Sequence, residues 1–416
     1  MTAFRYIHLE PHVKVKFLII LLPIYLVGLI YGKFILSLAM IFVILLSLMG
    51  SYRTEKTSLE SSIEYFLRSP VWWIITGYFF IVLFGGWYSE DTTSWLVRLR
   101  IKLPFLILPF CFFLLPRLSE GNYNKYICIL VMVIFLSTIP VLFSILIDFQ
   151  SFLTGLSEGT AANTPVSHIR YSLMVAMACF GAFILYYKQF YLISKGEVTL
   201  YLFLGIYFFL FIHLIAVRSG ILCFYLTGLL WVLRFLWKKQ TRIRGFALAL
   251  ILVSFPFIMI STMPSVQERW DYMVNDFNQF RTGKWNAYSD SERILSVMVG
   301  LEIIRDHPWW GVGPGDLKET CQERFLTKFD KTTFLLPHNQ FISVAAGSGL
   351  IGLGVFIISF FLPVIRFIRS PEPFWFSSIA IIFFSFLVEN TLETAVGTGL
   401  FILPLLMGIR FQEESN

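Results

Sequence analysis

Long apolar runs alternate with short polar connections along most of this chain, and each run approaches the ~20 residues a helix needs to cross a hydrocarbon core. About twelve runs meet that description by length and apolarity. They fall near residues 15–31, 33–50, 71–87, 101–118, 125–147, 170–188, 198–216, 219–237, 245–262, 339–367, 373–389 and 395–409. Only residues 263–338 break the pattern with a long stretch of mixed polarity. The expectation is an all-α fold, a polytopic transmembrane helical bundle with one long helical loop, forming a single membrane domain over 1–416.

Within that loop, Val266, Trp270, Met273, Phe277 and Phe280 recur at helical spacing. They predict an amphipathic helix lying on the membrane or on the bundle. Ser289 followed three residues later by Glu292 forms a capping-box pattern. It opens a second helix with Ile294, Val297, Met298, Leu301 and Ile304 on its apolar face, and Pro308 stops it. Gly311, Gly313, Pro314 and Gly315 then read as a tight turn. Without the Lys-Ser/Thr of a phosphate loop, they are not read as one. Gly347, Gly349, Gly352 and Gly354 read as places where helices approach closely.

Composition agrees with the pattern. Hydrophobic residues make up 57% of the chain and charged residues 14%, against roughly 25% charged in soluble domains. The net charge of +7 is explained by basic connections on one membrane side, so nucleic acid is not an expected partner. Arg53, Lys56 and Arg68 recur with Arg117 and Lys125, Lys188 and Lys195, Lys238 to Arg244, and Arg366 and Arg369 on alternate connections. These are expected to be cytoplasmic. The Arg218 junction, 159–168, 263–338 and 389–393 are then external. Arg98, Arg100 and Lys102 break the rule at the start of the fourth run, as interfacial side chains or as contacts for an anionic substrate. The basic N-terminus with no cleavage site reads as an uncleaved first helix. Four of the cysteines lie in apolar runs and Cys321 stands in the loop, with no metal-ligand spacing. Neither metal, disulfide nor cofactor is expected.

Polar side chains at membrane depth are costly and therefore candidates for function. Arg218 sits between two apolar runs with almost no loop. It is either an interfacial arginine or a fork for phosphate oxygens. Arg293 follows in the early part of the loop's second helix, where backbone N–H groups favour an anion, or else pairs locally with Asp290 or Glu292. His338 stands where the loop re-enters the membrane and offers a general base near neutral pH. Glu389, Asn390 and Glu393 cluster between the last two runs, able to orient a cation such as Arg218 or to form a solvated turn. His168 and Arg170 begin the sixth run.

Four motifs then resemble the O-antigen ligase and polymerase superfamily, in order. They are Arg218-Ser219-Gly220, Glu292-Arg293 opening a helix that leads to Asp306-His307-Pro308-Trp309-Trp310-Gly311-Val312-Gly313-Pro314-Gly315, Pro337-His338-Asn339, and Gly349-Leu350-Ile351-Gly352. The resemblance implies a metal-independent, inverting glycosyltransferase of the bacterial inner membrane, with its active site facing the periplasm. Its donor would be an undecaprenyl-diphosphate-linked glycan, and its acceptor a hydroxyl of lipid A–core. Arg218 and Arg293 would hold the diphosphate and His338 would activate the acceptor. Asn339, Arg98, Arg100, His168, Arg170 and Glu389 complete the candidate substrate contacts. A polymerase of the same superfamily, adding the glycan to another lipid-linked repeat, remains the alternative. A lipid or solute transporter fits less well, since its polar sites usually lie near the bilayer midplane.

Overall fold

The computed structural model describes residues 9–49, 59–282, 289–332 and 334–413. Arg53 and Lys56 lie outside them, as do the side chains of Ser289 and Asp290, and with Ser289 the expected capping box. The described residues form α1 (Pro11–Tyr31), α2 (Lys33–Leu48), α3 (Leu59–Leu67), α4 (Pro70–Trp73), α5 (Gly77–Gly85), α6 (Thr92–Leu114) and α7 (Glu120–Ile147). There follow α8 (Phe149–Ser157), α9 (His168–Tyr187), α10 (Gly196–Leu214), α11 (Arg218–Trp237) and α12 (Arg242–Thr262). The loop holds α13 (Pro264–Arg281), α14 (Ser289–Asp306) and α15 (Leu317–Phe329), and the chain ends with α16 (Gln340–Phe367), α17 (Pro373–Val388) and α18 (Ala395–Gln412).

Eight helices are long and apolar enough to cross a membrane, and Lys33–Leu48, Pro70–Gly85 and Pro373–Val388 are shorter apolar segments. With α6 they account for every run expected from hydropathy. The all-helical membrane architecture is thus as expected. One boundary differs materially. The fourth run was placed at 101–118, yet α6 starts at Thr92, capped by Asp91 accepting from Ser94 N. Arg98, Arg100 and Lys102 therefore ride on a helix rather than in a connection. Their charges hid its first turns from hydropathy.

α18 lies at the centre, enclosed on nearly every side, while α12 stands at the periphery. α1, α6 and α17 pack around α18, and α9 joins α7, α10, α11 and α17. Tyr126, Phe208, Trp375 and Met407 are among the fully buried side chains of this core. Removing any of them would cost about 3–5 kcal/mol for an aromatic side chain.

Both expected loop helices form, α13 with an outward apolar stripe and α14 with a buried face other than the one expected. α13 turns Ser265, Arg269, Tyr272 and Asp276 inward and leaves Trp270, Val274 and Phe277 exposed. An apolar stripe facing outward suits a helix lying at a membrane surface. On α14 the buried stripe is Leu295, Val299 and Ile303, whereas the expected face, with Ile294, Met298 and Leu301, is exposed. The reason is α15, which sequence periodicity had passed over. Leu317, Cys321 and Phe325 recur every four residues and close a small core against α14 and Ala346 of α16.

α16 is broken at Gly349, whose φ of 67° lies in the left-handed region that side chains resist. Val312 N donates to Ala346 O at 3.0 Å, Gly313 N to Gly347 O at 3.0 Å and Leu350 N to Pro308 O at 2.8 Å. A Cβ on Gly349 would lie 2.0 Å from Trp309 O. Gly347 and Gly349 thus admit the turn that follows Pro308, while Gly352 faces Ile81 of the neighbouring α5. That turn ties the loop to the helix His338 precedes.

Candidate functional site

Three features bring distant residues to one end of the bundle. First, only three residues separate α10 from α11. Ala216 adopts a left-handed φ of 48° there, which costs about 1–2 kcal/mol for a non-glycine. This sharp reversal makes Arg218 and Ser219 the first residues of α11. Second, Asn339 caps α16 by accepting from Ile342 N at 3.0 Å, while its amide donates to Leu387 O at 3.0 Å. His338 is thereby fixed between the loop and the α17 terminus. Third, α17 has only 16 residues, or about 24 Å, so Glu389 at its end stays buried.

Glu389 is the centre of this cluster. Its Oε1 lies 2.9 Å from Arg293 Nη2 and accepts from Ser219 Oγ at 3.1 Å. Its Oε2 faces His338 Nε2 at 3.9 Å. Arg293 Nη1 also reaches Ser219 Oγ at 3.5 Å. Arg293 pairs with a carboxylate 96 residues away in sequence, while Glu292, the described local candidate, faces Lys331 at 3.6 Å. Glu389, for its part, pairs with Arg293 in place of the Arg218 partner considered above. Burial pushes the Glu389 carboxyl up, opposed by Arg293 and the Ser219 hydroxyl.

His338 is held by its other nitrogen. Nδ1 lies 3.1 Å from Leu336 O, and since a carbonyl only accepts, Nδ1 carries the proton and Nε2 the lone pair. Ser296 steadies the backbone by accepting from His338 N at 3.1 Å. Burial, reinforced by the Arg293 charge, pushes the imidazole down to about 4. It is consequently neutral, and able to accept a proton, throughout the physiological range.

Arg218 lies beside this group. Its guanidinium stands over the Tyr272 ring at 5.9 Å, and Arg269 lies over the same ring at 5.8 Å. Arg218, Arg269 and Arg293 share the rim of a cavity of about 530 Å³ with walls that include Ile221, Leu222, Met259, Ile260, Trp270 and Met273. Cationic rim and apolar walls together match an amphiphile with an anionic head. His168 stands within electrostatic reach of Arg293, Arg269, Arg170 and Arg218. Arg170 in turn faces Glu389 and Glu393. Its Nε is buried without a hydrogen-bond partner among the described residues.

Arg98 belongs to an adjoining cluster. Glu393 receives Arg98 at 3.1 Å, Lys102 at 3.2 Å, Gln340 at 3.1 Å and Tyr78 at 3.3 Å. Burial would raise this carboxyl, but Lys102 and Arg98 overcome it and hold it down to about 2. Arg100, two residues on, is exposed and outside the cluster. Ser219, Ser296, Gln340 and Tyr78 were not among the candidate residues, and Lys102 was weighed only as an interfacial side chain or an anion contact. Ser219 had a signal in its place between Arg218 and Gly220, and Lys102 in its misplaced charge. Among the described residues, no three His, Cys, Asp or Glu side chains converge as metal ligands.

Residues 201–357 match the Wzy_C family, described as O-Antigen ligase. The match covers Arg218, Ser219, Arg293, His338 and Asn339, and supports the superfamily that the motifs resembled. Arg98, Arg100, His168, Arg170 and Glu389 lie outside the matched segment. No curated protein matches the chain significantly.

Proposed function

Proceeding from that family match, we propose that the protein is an O-antigen ligase-type glycosyltransferase. It transfers a glycan from undecaprenyl diphosphate to a hydroxyl of lipid A–core, on the periplasmic face of the bacterial inner membrane. The observation that carries this reading is that Arg218 and Arg293 line an apolar cavity while Glu389 sets His338 beside Arg293. The cavity accommodates part of the polyprenyl chain, and the guanidiniums face its diphosphate.

The chemistry follows from where charge develops. As the acceptor oxygen bonds to the anomeric carbon, the bond from that carbon to the diphosphate breaks and its electron pair leaves with the phosphate. Fixed guanidiniums stabilise the added negative charge, the electrostatic contribution that is usually largest in catalysis. His338 Nε2 takes the acceptor's proton. Attack opposite the leaving group inverts the anomeric centre. With the cationic charge supplied by arginine, turnover does not depend on a divalent metal.

Lys and Arg on the alternate connections support placing the Arg218 end outside. The opposite end gathers Lys188 with Glu372 at 3.1 Å and Trp72 Nε1 with Glu413 at 2.6 Å. The test is transfer by the purified protein from an undecaprenyl-diphosphate-linked glycan to lipid A–core, with EDTA present. Product with inverted anomeric configuration is expected. Growth of the lipid-linked glycan without transfer to lipid A–core would assign the polymerase reaction instead. Activity abolished by EDTA and restored by magnesium or manganese would refute the arginine mechanism.

A further inference from the structure

We infer that Glu389 is an exchangeable positioning carboxylate, which holds Arg293 before the donor binds and passes to His338 once the diphosphate engages that guanidinium. The inference rests on the reaction proposed above and concerns a residue outside the family match.

The geometry divides the two carboxylate oxygens between two tasks. Oε1 is engaged by Arg293 and the Ser219 hydroxyl, whereas Oε2 points at His338 Nε2 from 3.9 Å. That separation is too long for a hydrogen bond. It is also the distance at which a lone pair and a carboxylate avoid one another until a proton arrives. Leu336 O fixes the proton on Nδ1, so the proton removed from the acceptor must land on Nε2. The imidazolium formed is then adjacent to Oε2, and a shift of about 1 Å closes a charge-assisted bond. Meanwhile Arg293 exchanges one carboxylate oxygen for phosphate oxygens bearing more charge. The other charged groups facing the pair are Glu292 beside Arg293 on α14, and Arg170 on α9. Ser219 and Ser296 are neutral. Glu389 is thus the carboxylate nearest Nε2.

Glu389 differs from the carboxylate of a hydrolase triad, which also sets the histidine's tautomer and whose loss costs about ten-thousandfold. Here a backbone carbonyl sets the tautomer, so only one charge-assisted hydrogen bond to the imidazolium is lost, roughly tenfold to a hundredfold in kcat.

The experiment uses the full-length protein in detergent, with undecaprenyl diphosphate as binding probe and an undecaprenyl-diphosphate-linked glycan for transfer. Glu389→Gln should bind undecaprenyl diphosphate as tightly as the parent or more so, because Arg293 no longer surrenders a carboxylate. Its kcat should fall roughly tenfold to a hundredfold, and the acid limb of its kcat profile should move to lower pH, because the imidazolium has lost its counter-charge. Glu389→Asp should recover most of kcat and the parental acid limb. Weakened binding in Glu389→Gln with an unmoved acid limb would overturn the inference, leaving a carboxylate that only holds Arg293. If the Gln variant fails to fold, Asp decides, and weakened probe binding there overturns the inference equally. Parental transfer by His338→Ala would instead sink the base assignment itself, whatever Glu389 does.

Discussion

Glu389 and Glu393 lie one short turn apart at the same end of the bundle, yet their surroundings are opposite. Glu393 receives two cations, an amide and a phenol, with its carboxyl held down to about 2. Glu389 has one close cation and one hydroxyl, and burial pushes its carboxyl up. A carboxylate held by four donors is an anchor, because a ligand would have to displace several of them at once. An under-bonded one can change partners at small cost. Gln340 ties the two sites together, since it meets Glu393 immediately after His338 and Asn339. The anchor therefore fixes the α16 entrance from which the reactive side chain projects.

The largest effect is expected at the working end of this pair. His338→Ala should lower kcat by about a hundredfold to ten-thousandfold, the range for losing a general base, while undecaprenyl diphosphate still binds. The pH profile sharpens the assignment. A depressed imidazole is deprotonated, and active, above its pKa and loses that form only as pH falls through about 4. The acid limb of kcat/KM, which reports the free enzyme, should lie well below the ordinary histidine value of about 6.5. A limb at 6.5 or above would contradict the buried, arginine-flanked setting.

The anchor should show itself in stability instead. Glu393→Ala strands Lys102 and Arg98 without their counter-charge, a change that costs about 3–5 kcal/mol for a buried pair. Thermal unfolding in detergent should reveal a far larger drop than for Glu389→Ala, whose partner Arg293 is a quarter exposed and can be hydrated. Equal losses at the two positions would erase the distinction.

Much of the fold was legible from sequence, because a membrane span declares itself by apolar length alone. What failed to show was whatever depended on contacts between distant segments. The first turns of α6 were hidden by three basic residues, two of which, Arg98 and Lys102, pair with Glu393, 291 residues from Lys102. α15 was missed because its stripe is only Leu317, Cys321 and Phe325 among charges. Among the glycines of α16 read as close-approach positions, Gly352 faces Ile81 of α5, but at Gly349 the approaching chain is the 308–313 turn. At the site, Arg218, Arg293 and His338 stood out by residue type and position. For Arg293, Glu292 was the near carboxylate in sequence, whereas the observed partner, Glu389, was far from it.

A smaller effect is expected where charge is kept and geometry lost. Lys at Arg293 preserves the cation but gives up the planar fork. One charge-assisted hydrogen bond contributes about 1.5–3 kcal/mol, so transfer should fall roughly tenfold to a hundredfold, with donor binding weakened in parallel. Arg218→Lys should behave similarly. Full rates for Arg218→Lys would make that residue an interfacial arginine, and leave Arg293 as the phosphate contact.

The smallest effect separates two arginines that sequence treated alike. Arg98 and Arg100 both opened the anomalous fourth run, and both were taken as substrate contacts. On a helix they point about 200° apart, and the structure turns Arg98 inward onto Glu393 while Arg100 remains exposed. Arg98→Gln removes one of two cations from a buried carboxylate. It should lower the unfolding temperature, though less than Glu393→Ala, because Lys102 remains. Arg100→Gln removes a charge that meets water or lipid headgroups, where a single exposed charge contributes about 0–1 kcal/mol. Transfer and stability should both stay within about twofold and about 0.5 kcal/mol of the parent. A pronounced loss of transfer with unchanged stability in Arg100→Gln would reverse the assignment. Arg100 would then be a contact for a substrate approaching from outside the bundle, and the functional surface would extend across α6, beyond the Glu393 anchor.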